Sequence, residues 1–254
     1  MTRIGFIGTG EIAAAMVTGL IGQGHQIMVS ERNSGMAAAL AAQSSDVTIA
    51  PNEQVVADSD VVFLCLLAEV ARDVLPGLPF HAGQSVISVM ADLPLADLRT
   101  LCAPAEELAI TIPLAPIAVG GSALPVYPDS PALRALFGDT DLIIPCRDEA
   151  ALNAHFGASA LASPILEQMR TGAAWLAGQT GDGVAAEQYV ATVFAGFLRS
   201  LAENPETSFD DLLDSLATEG GLNATLRAHM RDAGAPKALV DGLDALKPRL
   251  GLDD

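Results

Sequence analysis

Six residues near the start of the chain carry its clearest chemistry. Gly8-Thr9-Gly10-Glu11-Ile12-Ala13 follows the apolar run of residues 3–7 and opens a stretch of helical periodicity. A strand that turns through glycine into a helix points the free N–H groups of the first helical turn, and the positive end of its dipole, at one spot. Gly8 permits the tight turn, Gly10 keeps a β-carbon out of the path of a pyrophosphate, and Ala13 lets the helix lie close to the sheet. The pattern reads as a dinucleotide site, with Gly8, Thr9, Gly10, Glu11 and Ile12 assigned to the phosphates. The Glu11 carboxylate complements the dipole but would repel a phosphate, so it is expected to point outward.

A second cluster, Ser30-Glu31-Arg32-Asn33-Ser34, falls where the next strand ends, at the distance of the adenosine ribose. Glu31 could hold a 2′-hydroxyl. Arg32, flanked by the donors Ser30 and Asn33, suits a 2′-phosphate better, because a guanidinium offers planar, charge-assisted hydrogen bonds. The cofactor expected is NADP, with NAD possible. No metal site is expected. His25, His81, His155 and His229 are scattered without ligand spacing, and Cys65, Cys102 and Cys146 form no CxxC pair.

These residues need a scaffold, and the first 150 positions supply one. Strand-like runs at residues 3–7, 26–30, 47–49, 60–66 and 85–89 alternate with helix-compatible segments at 11–22, 35–43, 69–75 and 95–101. The run Asp60-Val61-Val62-Phe63-Leu64-Cys65-Leu66 is nearly all apolar, as in a strand covered on both faces. Strand and helix in series imply right-handed crossovers and a parallel sheet. Residues 108–112 and 142–144 read as further strands. Between them Pro113, Pro116, Gly120-Gly121, Pro125 and Pro128 predict a turn-rich passage beside the sheet. From about residue 158 only helical segments follow, at 164–176, 184–203, 209–216, 222–230 and 236–246. The reading is α/β: a doubly wound, Rossmann-type NAD(P)-binding domain at 1–156 and an all-α domain at 157–254. The helices carry more bulky apolar positions than so small a bundle can cover, so a homodimer through the C-terminal helices is expected.

Composition narrows the partners. The 254 residues carry 31 Asp and Glu against 13 Lys and Arg, a net charge of −18, which repels nucleic acid and anionic membranes. The first residues enter a strand without signal-peptide organisation, and no apolar run has the length of a membrane span. A cytoplasmic protein acting on a small molecule is the expectation.

The chain resembles the pyrroline-5-carboxylate reductases. The opening Ile4-Gly5-Phe6-Ile7-Gly8-Thr9-Gly10-Glu11-Ile12-Ala13, the run 60–66 and Ser163-Pro164 are similar to that family's motifs, and Thr218-Glu219-Gly220-Gly221-Leu222-Asn223 resembles its Ser-Pro-Gly-Gly-Thr-Thr turn. The resemblance implies reduction of a C=N bond by NADPH, with 1-pyrroline-5-carboxylate to L-proline as the leading candidate. It assigns Leu66 and Pro113 to the cofactor, Thr218, Gly220, Gly221 and Asn223 to the substrate, and a catalytic donor role to Asn223. By its own chemistry, Asn223 after two glycines also reads as a helix cap. The family's Met-Pro-Asn-Thr-Pro appears here as Ile112-Pro113-Leu114-Ala115-Pro116, and its Val-Lys-Pro as Leu66-Leu67-Ala68, so an amide and a lysine are missing. Three other functions compete. A hydroxyacid dehydrogenase would carry a lysine on a long helix, whereas the two lysines here, Lys237 and Lys247, stand near the C-terminus. A deazaflavin-dependent NADP reductase would share the first half, and a non-catalytic dinucleotide sensor would fit Leu67 and Leu114.

Overall fold

The computed structural model describes residues 1–252. In chain order its elements are β1 (Arg3–Ile7), α1 (Glu11–Leu20), β2 (Gln26–Ser30), α2 (Ser34–Ala41), β3 (Val47–Ala50), α3 (Asn52–Ala57), β4 (Val61–Leu64), α4 (Ala68–Val74), β5 (Ser85–Ser88), α5 (Leu95–Leu101) and β6 (Glu107–Thr111). There follow β7 (Ala123–Tyr127), α6 (Pro131–Phe137), β8 (Leu142–Pro145), α7 (Glu149–Ser159), α8 (Ala162–Thr180), α9 (Gly183–Glu203), α10 (Phe209–Ser215), α11 (Leu222–Asp232), α12 (Ala235–Asp244) and α13 (Lys247–Leu250). Two compact units result: Met1–Phe156 joined by the chain from Arg249, and Gly157–Pro248.

The first unit is a doubly wound sheet in the order β3-β2-β1-β4-β5-β6-β7-β8, parallel from β3 to β6. Strand periodicity divides its apolar residues between two faces. Ile4 and Phe6 of β1 and Phe63 of β4 pack on one side, against α1, α2 and α6. Ile7, Val62 and Leu64 pack on the other, with Val55, Ala71, Leu98 and Cys102. Phe63 is the centre of an aromatic set: its ring stacks on Phe6 at 4.9 Å and meets Phe137 edge-on at 6.2 Å. Every residue of β4 is buried, as its unbroken apolar run requires.

The passage between β6 and β8 differs from the turn-rich reading. It holds strand β7, antiparallel to β6 and parallel to β8, and then α6. Pro125 is tolerated inside β7 because the ladder to β6 runs through Tyr127 and Val126 alone, while the Pro125 carbonyl accepts from the Thr111 hydroxyl at 2.7 Å. The short polar helix α3 was likewise unmarked by periodicity. The C-terminal boundary also needs correction. Residues 249–252 belong to the sheet unit, where Arg249 pairs with Asp92 at 2.8 Å and Asn153 donates to the Leu250 carbonyl at 3.0 Å.

In the second unit α8 and α9 form a helical hairpin. Gly181, at φ +77°, closes α8, and the Asp182 carboxylate caps α9 through the Ala185 N–H at 3.0 Å. Ser208 and Asp211 form a reciprocal capping box at the start of α10. Among the described residues, no helix is long and apolar enough to cross a membrane.

Candidate functional site

Because β1 to β6 are parallel, their carboxyl ends share one edge of the sheet, and the order reverses beside β1, between β2 and β4. Ligands of such sheets bind at that switch point. The glycine loop lies there. Gly8 has φ +94°, and a β-carbon on it would stand 2.4 Å from the Cys65 carbonyl oxygen and 3.0 Å from Leu66 Cδ2. Gly8 is therefore fixed twice, by its left-handed backbone and by the close passage of the chain leaving β4. Gly10 differs: it is exposed, and an added β-carbon would meet no atom within 4 Å. The space over Gly10 is open and faces the start of α1. No side chain caps that helix, so its first-turn N–H groups stay directed at the loop. Open room, an uncapped ten-residue helix and a switch point together fit a dinucleotide pyrophosphate. Glu11 is exposed, Ile12 half-buried and Thr9 buried.

Two residues expected at the 2′-phosphate make hydrogen bonds within the protein. Ser30 is buried, and its hydroxyl accepts from the Gly8 N–H at 2.8 Å. Asn33 donates from Nδ2 to the Thr9 carbonyl at 3.0 Å, while its Oδ1 accepts from Met36 N and caps α2. Thr9 returns a bond from its hydroxyl to the Ser30 carbonyl at 3.3 Å. Ser30 and Asn33 thus spend these polar atoms inside the protein. Glu31 and Arg32 are exposed beside them, and Arg32 has no ion-pair partner among the described residues.

Further along the edge, Leu66 is half-buried after β4 and Leu67 is 76 % exposed; Pro113 is buried after β6, and Leu114 is 40 % exposed. Sequence reasoning missed Gly19. A β-carbon there would lie 2.5 Å from the Ile117 carbonyl, so glycine is what lets the 3-10 turn Ala115–Ala118 settle on α1. Its only signal was a glycine inside a helical run.

The substrate candidates lie in the helical unit. Gly221 N–H donates to the Thr218 carbonyl at 2.9 Å, closing a turn in which Gly220 takes φ +69°. Thr218, Gly220 and Asn223 are exposed. The capping alternative for Asn223 fails: Gly221 is the cap of α11 without a side-chain bond, and Asn223 is the second residue inside the helix. The turn sets Asn223 one position too late to reach a cap.

Among the described residues, one cysteine comes close to a histidine without gaining a base. Cys146 Sγ comes within 3.7 Å of His155 Nδ1, but that nitrogen lies 2.7 Å from the Ala151 carbonyl. A carbonyl only accepts, so Nδ1 carries the proton and cannot take one from the thiol. Burial pushes the Cys65 and Cys102 thiols up to about 12 and raises that of Cys146.

Comparison with known proteins agrees with this geometry. Residues 3–92, the span from β1 past β5, match the family model described as NADP oxidoreductase, coenzyme F420-dependent. A pyrroline-5-carboxylate reductase of Pseudomonas aeruginosa is 32 % identical over 102 residues, covering 38 % of this chain and 37 % of that protein. The chain thus aligns with less than half the length of the curated relatives it matches. In fold the likeness is longer. The 1-pyrroline-5-carboxylate reductase of Streptococcus pyogenes superposes with TM-score 0.82 over 98 % of each chain at 20 % identity. The pyrroline carboxylate reductase of Plasmodium falciparum, solved with NADP bound, gives 0.80 over 100 % of this chain and 98 % of its own at 11 %. In sequence over part of its length, and in fold over nearly all of it, this chain is similar to the pyrroline-5-carboxylate reductases.

Proposed function

We propose that this protein is an NADPH-dependent reductase of a small cyclic imine. The observation that carries the reading is the glycine loop: Gly8 locked against the end of β4, Gly10 open, and the uncapped N-terminus of α1 behind them. In this reading the backbone from Gly8 to Ile12 holds the pyrophosphate and Arg32 the 2′-phosphate, with Leu66 and Pro113 bordering the cofactor toward its nicotinamide. Bound NADPH supplies a hydride to the carbon of the C=N bond. An iminium is already electrophilic, so the protein's task is to orient it and exclude water rather than to provide a strong acid. Gly220 and Gly221 would let the backbone approach the substrate, and Thr218 and Asn223 would donate hydrogen bonds to it. A homodimer through the helical unit and a cytoplasmic setting belong to the same reading.

Within the class, the relatives' names favour 1-pyrroline-5-carboxylate. Oxidation of NADPH followed at 1-pyrroline-5-carboxylate and at the same ring without its carboxylate tests the proposal; turnover of either supports it. One observation favours a second reading. Leu67 and Leu114 stand exposed on the carboxyl edge where a catalytic pocket would be polar, which suits a dinucleotide sensor. Tight NADPH binding with no imine consumed would select the sensor, and no binding of either cofactor would reject both.

A further inference from the structure

Three hydrogen bonds tie the loop after β1 to the loop after β2. Ser30 Oγ accepts from Gly8 N–H at 2.8 Å, Thr9 Oγ1 donates to the Ser30 carbonyl at 3.3 Å, and Asn33 Nδ2 donates to the Thr9 carbonyl at 3.0 Å. Two of the side chains, Ser30 and Thr9, are buried, which protects their bonds from water. Asn33 adds a fourth bond, from Met36 N at 3.3 Å, which joins the tie to the first turn of α2. Arg32 sits between Ser30 and Asn33 at the exposed crest of this structure, beside Glu31. From this geometry we infer that Asn33, with Ser30, is a positioning residue that sets the preference for NADPH over NADH.

The inference rests on the proposed reading of Gly8–Ile12 and Arg32 as the two anion-binding ends. A dinucleotide with a 2′-phosphate engages both ends at once. The second contact costs little only if the two loops are already held at a fixed distance, so rigidity between them adds to affinity without adding contacts. A dinucleotide lacking that phosphate forgoes the Arg32 contact and gains less from the tie. Asn33 never needs to touch the ligand for this effect. Its amide holds the crest that carries Arg32 to the backbone of the phosphate loop.

The test separates this role from the capping of α2. In Asn33→Ser the hydroxyl still caps the helix but is too short to reach the Thr9 carbonyl, and no charge is introduced. Fluorescence titration should show Kd for NADPH raised about tenfold and Kd for NADH raised less than about threefold, with the melting temperature held near wild type. In an Arg32→Ala background the same change should have no further selective effect, since the group being positioned is gone. Equal losses for both cofactors, no loss, or additive effects in the double variant would overturn the inference. If Asn33→Ser does not fold, Thr9→Val removes one strand of the tie, the bond from the Thr9 hydroxyl to the Ser30 carbonyl, and leaves the Thr9 carbonyl in place. A smaller loss, still selective for NADPH, is then expected, and a loss equal for both cofactors or none would overturn the inference. Arg32→Ala alone is the control on the underlying reading: an unchanged preference for NADPH there rejects the 2′-phosphate site itself, whereas a selective loss with a silent Asn33→Ser rejects only the positioning role.

Discussion

The two units of this chain bury their apolar residues to very different degrees. In the sheet unit Phe6, Phe63 and Phe137 are all but inaccessible, and the central strands are covered on both faces. In the helical unit, among the described residues, only Gly157, Ala173 and Ala186 are buried, while Trp175 is 69 % and Phe194 46 % exposed. A sheet sandwiched by its own crossover helices completes a core within one chain. The helices of the second unit do not, and α9 displays Tyr189, Phe194 and Leu198 to solvent. Such a surface is where a second copy would complete the core.

The sharpest way to break that comparison is a matched pair of substitutions. Phe63→Ala should cost about 3–5 kcal/mol in chemical denaturation, independent of protein concentration, because its cavity opens in a closed core. Phe194→Asp should instead halve the sedimenting mass and abolish any dependence of the melting temperature on concentration. A wild-type protein that sediments as a monomer at micromolar concentration would sink the dimer.

A second pair sharpens the contrast inside the phosphate loop. Gly8→Ala strains a left-handed backbone and pushes a β-carbon onto the Cys65 carbonyl, so it should lose about 2–3 kcal/mol of stability along with cofactor binding. Gly10→Ala meets no protein atom, so thermal melting should be unchanged while NADPH affinity falls about tenfold, or about 1.4 kcal/mol. Unaltered NADPH affinity in Gly10→Ala would remove the pyrophosphate from this loop.

A further expected effect, seen only at alkaline pH, again concerns the closed core. Burial pushes the Cys102 thiol up to about 12 from an ordinary value near 9. Between those limits the unfolded chain has lost this proton and the folded chain keeps it. Stability therefore falls as pH rises through that window, by up to about 1.4 kcal/mol per pH unit. Cys102→Ala should flatten the decline of stability between pH 9 and 11, measured by urea denaturation; a slope as steep as wild type would clear the thiol of the effect.

Much of the sheet unit was legible because its signals are local. The apolar run through β4, the glycine turn into α1 and the alternation of strands with helices each depend on residues next to one another. β7 was not legible, since Pro125 argues against a strand unless its lost N–H is known to be unneeded, and only the pairing with β6 shows that. The polar residues after β2 show the same limit. Ser30 and Asn33 have the composition of an anion site, and nothing in their neighbourhood reveals that their hydrogen-bond partners lie more than twenty residues earlier.

The sequence by itself therefore determined most of the strands and helices, though not α3, β7 or α6, and where the chain turns through glycine, and that the helical unit carries surplus apolar surface. Tertiary structure alone decided which polar groups remain free to meet a ligand. The parallel register of β1 and β2 brings Ser30 against Gly8 and turns it inward and leaves Arg32 facing solvent, while the packing of the Ala115–Ala118 turn on α1 makes Gly19 the point where that turn can rest. A hydrogen bond is satisfied by whatever lies within about 3 Å, and only the folded chain says what that is.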